Sequence, residues 1–90
     1  MRKIKPTRAN KSILLKALAP YYYQERELGH STQEVGKLIL KIDSLPADKR
    51  ASFSVEEIHL MQITINRLRN ERLGKGQYTD AADDMLLKLF

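Results

Sequence analysis

Ninety residues, a net charge of +5 and no cysteine bound this chain to one small basic domain. A chain of this length buries roughly 60–65% of its unfolded surface, enough for a single core that no disulfide supplements. No apolar run approaches the ~18 residues of a membrane span, and the basic amino terminus lacks the apolar stretch and small-residue cleavage site of a signal peptide. The expectation is a soluble, cytoplasmic protein, and the lack of cysteine fits a reducing compartment.

The charge is uneven. Residues 1–16 carry Arg2, Lys3, Lys5, Arg8, Lys11 and Lys16 and no acid. Residues 1–6 read as an irregular basic arm. Pro6 suits the first turn of a helix, where its missing N–H costs nothing, and Thr7 or Asn10 can cap it. Ile13, Leu14, Ala17, Leu18, Tyr21 and Tyr22 then recur at helical spacing, predicting a helix over about 7–28. Pro20 interrupts that pattern, so either a kink or a new helix is expected there. In Tyr21-Tyr22-Tyr23 successive side chains point about 100° apart. Tyr22, four residues past Leu18, is the one expected to pack, and at least one of the others stays partly exposed.

Ser31-Thr32-Gln33-Glu34 has the form of a capping box. Val35, Leu38, Ile39 and Ile42 follow as one stripe, predicting a helix over about 31–43. Leu45-Pro46 opens a connection. The longest signal comes next. Ser54-Val55-Glu56-Glu57 is a second S-x-x-E box, and Phe53 and Ile58 flank it as a hydrophobic staple. Ile58, Met61, Ile65 and Leu68 line one face of a helix over about 54–73, and Gly74 and Gly76 supply its end. Thr79 or Asp80 caps a last helix, about 80–89, in which Ala82, Met85, Leu86 and Leu89 share a face. No segment alternates long enough to argue a strand. The fold class expected is all-α, an antiparallel four-helix bundle spanning residues 1–90, because short connections make sequential helices neighbours.

Little in the chain asks for catalysis. His30 and His59 stand apart with no metal-ligand spacing between them. Glu56 and Glu57 are explained by the cap and the helix dipole, as are Asp80, Asp83 and Asp84 at the start of the last helix. Lys75 between two glycines lacks the spacing of a phosphate loop. The reading is a non-enzymatic protein with no cofactor and no metal. The alternative is a small basic helical nucleic-acid-binding regulator. Ser31 to Leu38 has the look of a first helix-turn-helix element, but the helix continues through Ile42 where the turn should come. Arg67, Arg69, Arg72 and Lys75 form a second basic group that only partly shares a face.

The segment Val35 to Tyr78 resembles the immunity proteins of pediocin-like bacteriocins, the enterocin A immunity group. The likeness lies in the apolar helix Val35-Gly36-Lys37-Leu38-Ile39-Leu40-Lys41-Ile42, a short connection, and Phe53-Ser54-x-x-Glu57 opening a long helix. That helix carries Ile58, Met61, Ile65 and Leu68, and Leu73-Gly74-Lys75-Gly76-Gln77-Tyr78 follows. The resemblance implies a cytosolic antiparallel bundle that protects a bacteriocin producer from its own peptide. It implies action at the inner membrane face, together with the bacteriocin's receptor, a sugar-transporting phosphotransferase permease. It also implies that the carboxyl-terminal part selects the bacteriocin. Here that part is the loop Gly74–Tyr78 and the helix Asp80–Phe90, with Lys75, Gln77, Tyr78, Leu87 and Phe90 as the expected contacts. Leu86, Leu87, Leu89 and Phe90 cannot all point inward from one short helix. Independently of the resemblance, Arg2, Lys3, Lys5, Arg8 and Lys11 would favour peripheral contact with an anionic membrane, at about 1 kcal/mol per basic residue held near it.

Overall fold

The computed structural model describes residues 2–90. It runs β1 (Arg2–Ile4), α1 (Arg8–Glu27), α2 (Gln33–Ser44), β2 (Ala51–Phe53), α3 (Val55–Gly74) and α4 (Asp80–Leu89). The described chain is mostly helical, and its four helices pack on one core. Ile13, Leu14, Ala17 and Leu18 of α1 meet Val35, Leu38 and Ile42 of α2, Met61 and Ile65 of α3, and Ala82, Met85 and Leu89 of α4. These are the stripes that helical periodicity marks. Burial of each large aliphatic side chain contributes roughly 1.5–3 kcal/mol.

Local chemistry sets the helix ends. Ser54 Oγ accepts from the Glu57 amide at 3.1 Å, and Glu57 Oε1 accepts from the Ser54 amide at 2.8 Å, so the capping box at α3 is complete. Thr7 caps α1, its hydroxyl oxygen accepting from the Asn10 amide. The expected box at Ser31–Glu34 does not form. Thr32 is the N-cap, and its side chain makes no capping bond. Its ψ of 7° departs from the extended backbone that aims an N-cap side chain at the first turn. Thr79 likewise caps α4 without a side-chain capping bond, its hydroxyl donating instead to Asp83 Oδ2.

Pro20 lies inside α1, which continues through it, so no second helix begins there. Tyr22 and Tyr21 pack against the core and Tyr23 is exposed.

The expectation of no strands, and of an irregular stretch over residues 1–6, is corrected. β1 and β2 pair antiparallel, Arg2 opposite Phe53, Lys3 opposite Ser52 and Ile4 opposite Ala51. Ile4 and Pro6 are buried. Two three-residue strands are too short to display a period of two. Their pairing comes from burying Ile4, Ala51 and Phe53 together, on the face that closes the core. Met1 lies outside the described residues.

Candidate partner-recognition surface

The segment after α3 is shaped by a Schellman turn. Gly76 sits at φ 69°, the left-handed region where a side chain is strained. The Gln77 amide donates to Arg72 O at 2.8 Å and the Gly76 amide to Leu73 O at 3.1 Å, which satisfies the last carbonyls of α3. Gly74, the other glycine expected to stop the helix, is still helical. Beyond the turn, the chain is pinned from both sides. Arg69 of α3 donates to Asp83 of α4 at 2.5 Å. The Arg69 guanidinium, and after it the Thr79 hydroxyl, hold the Asp83 carboxyl below the usual aspartate range. The connection from Lys75 to Thr79 is therefore a presented loop. Lys75 is tied to Glu71 at 3.0 Å, and Gln77 is exposed.

Three of the five expected recognition residues are large hydrophobics, and all three are open to solvent: Tyr78 is 90% exposed, Leu87 78% and Phe90 70%. They do not make one patch. Arg69 meets Asp83 while Gln62 donates to Leu89 O, so α4 returns along α3. A ten-residue helix is about 15 Å long, and that length separates Tyr78 from Phe90. Leu87 and Phe90 are three residues apart and so share a side. Phe90 also lines an open hollow of about 410 Å³ with Val55 and Ile58, at the amino end of α3. Val55, exposed beside the cap, was not singled out by sequence reasoning. Its place depends on where α4 ends.

The five basic residues at the amino terminus also divide. Arg2 donates to Lys88 O in the last turn of α4 and to Phe90 O just beyond it. Lys11 Nζ donates to Asp43 O at 3.1 Å and Leu45 O at 2.9 Å, at the end of α2. Both cations sit where a helix dipole is negative. Lys3, Lys5 and Arg8 are exposed. Lys3 and Lys5 share a second hollow with Arg50 and Lys88, neither of which the sequence reading named. Their signal is the strand register, which brings residues 5 and 50 together only once β1 and β2 are paired.

Glu57 is the other perturbed carboxylate. Burial pushes its pKa up, but the Ser54 amide and the Lys41 ammonium together outweigh burial and hold it below the ordinary glutamate value. This is a structural joint between α2 and the start of α3. His30 pairs with Glu25 at the end of α1, and His59 is exposed. Among the described residues, no three His, Asp or Glu side chains converge as a metal ion would require. No helix among them is long and apolar enough to cross a membrane. Comparison with protein-family models, curated proteins and solved structures returned no match.

Proposed function

We propose that this chain is a non-enzymatic bacteriocin immunity protein of the pediocin-like group. On this reading it is a cytoplasmic antiparallel four-helix bundle that protects its cell by recognising a bacteriocin–receptor complex at the membrane face. The receptor in that class is a sugar phosphotransferase permease. The sequence resemblance over Val35–Tyr78 supplies the class. The observation that carries the recognition role is the exposure of Tyr78, Leu87 and Phe90 at the two ends of α4, while Ala82, Met85 and Leu89 of the same helix do the core packing. Exposed aromatic groups such as Tyr78 and Phe90 are enriched at protein interfaces.

The alternative, a nucleic-acid-binding regulator, has weaker support from the second basic group. Arg67 donates to Gln24, Arg69 to Asp83 and Lys75 to Glu71, so these charges have partners within the chain.

The test is expression in a bacteriocin-sensitive strain challenged with a panel of pediocin-like peptides. The native chain is expected to protect against one cognate peptide. A variant carrying Tyr78→Ala, Leu87→Ala and Phe90→Ala is expected to lose protection while keeping its helical circular dichroism. Failure of the native chain against every peptide refutes the immunity reading. Protection retained by the folded triple variant refutes the placement of the surface.

A further inference from the structure

We propose that the hollow between β1, Arg50 and α4 is a binding site for a phosphoryl oxyanion. Lys3 and Lys5 alternate with the buried Ile4, so they face away from the core on one side of the β-ribbon. The ladder pairs Ile4 with Ala51. Lys5 and Arg50 flank the end of that ladder and line one hollow. Lys88 reaches the same place from the last turn of α4. The result is an open hollow of about 350 Å³ lined by Lys3, Lys5, Arg50 and Lys88, with no carboxylate side chain among the described residues of its wall. Among the described residues, none of the four forms a salt bridge.

One buried side chain organises this cluster. Asn10 Nδ2 donates to Lys5 O at 2.8 Å, and Asn10 Oδ1 accepts from Lys88 Nζ at 3.0 Å. The ammonium of Lys88 is thereby held in place with one of its three donors used and two left for a ligand. Arg50 offers a planar fork of N–H donors of the kind that matches phosphoryl oxygens bidentately. Like charges held close together repel one another. Four of them around one hollow leave an electrostatic deficit that a multiply charged anion removes. The mouth is open to solvent, so the phosphoryl group can be free in solution or carried on a lipid headgroup. Tyr78, Leu87 and Phe90 are not among the residues that line this hollow, and the proposal does not depend on the immunity reading.

The experiment is an amide NMR titration of the full chain at low salt with sodium pyrophosphate. In parallel, the chain is co-sedimented with phosphatidylglycerol vesicles and with neutral phosphatidylcholine vesicles. Shifts confined to residues 3–10 and the neighbourhoods of Arg50 and Lys88 are expected. Lys5→Gln with Arg50→Gln should weaken binding roughly tenfold or more. Lys16→Gln with Lys37→Gln, which removes equal charge outside the hollow, should change it by less than about twofold. Tight pyrophosphate binding with no preference for anionic vesicles assigns a soluble phosphoryl compound, and the reverse assigns a lipid headgroup. In a low-salt chloride buffer free of phosphate and other polyvalent anions, the Lys5→Gln and Arg50→Gln double variant should melt at or above the native temperature, because repulsion has been relieved. Equal losses in the two double variants, shifts spread over all the basic residues, no binding of either probe, or a lower melting temperature for the Lys5/Arg50 variant would each overturn the proposal.

Discussion

Replacing Lys41 by methionine should cost about 2 kcal/mol of folding stability, and the figure can be built from its contacts. Its ammonium donates to Ser52 O at 2.8 Å and to both oxygens of Glu57 at 3.0 and 3.2 Å, and lies 4.6 Å from the centre of the Phe53 ring. The Lys41 and Glu57 side chains are 36% and 27% exposed, so solvent screens the pair. An ion pair of this exposure is worth about 0.5–1 kcal/mol. The charged bond to a half-sheltered carbonyl adds about 1 kcal/mol, and the cation over the ring about 0.5 kcal/mol. Methionine keeps most of the aliphatic packing, so the loss is chiefly polar. For a domain of this size, about 2 kcal/mol corresponds to a fall in melting temperature of roughly 8–16 °C.

Urea titrations of the native chain, Lys41→Met, Glu57→Gln and the double variant give the total and the pairwise coupling, which should be about 0.5–1 kcal/mol. The pH dependence supplies a second check. Lys41 helps depress the pKa of Glu57 in the folded state. Its contribution through Glu57 is therefore complete above the unfolded glutamate value of about 4.3 and vanishes as pH falls through the lower folded value. The gap between native and Lys41→Met should narrow in acid by the ion-pair share alone. A Lys41→Met variant within about 0.5 kcal/mol of native, or a gap that widens in acid, would refute this account of the joint.

Two further outcomes follow from the same geometry. Gly76→Ala should lose about 1 kcal/mol in a denaturant melt, because residue 76 is left-handed although a Cβ there meets no atom within 4 Å. Gly74→Ala, equally uncrowded but helical, should be neutral or gain up to about 1 kcal/mol. Stability should fall as pH drops below the unfolded carboxylate values of about 4, and the contributions of Glu57 and Asp83 should be gone once pH has passed their lowered folded values and Lys41 and Arg69 are released. Circular dichroism against pH reads this directly, and Asp83→Asn should be less stable than native at neutral pH, the difference closing as pH falls through the lowered Asp83 value.

The helices were legible in the sequence because their causes are local. The stripe Ile58, Met61, Ile65 and Leu68, the box Ser54–Glu57 and the left-handed Gly76 each act within a few residues, and each stands in the structure where periodicity and capping put it. Leu87 and Phe90 could be read as outward-facing because one short helix has room for only one apolar side. The Ser31–Glu34 box failed for a reason beyond sequence spacing. α2 begins one residue later than the box requires, with Thr32 at the N-cap and Val35, which has no side-chain acceptor, three residues on. Tertiary structure alone decided where the charges went. Arg2 and Lys11 lie in one basic run with Lys3 and Lys5, yet packing turns the first two toward helix carbonyls and leaves the other two facing out beside Arg50 and Lys88. That outcome rests on the pairing of residues 2–4 with 51–53, two strands too short to declare themselves and too far apart in the chain for any local signal to join.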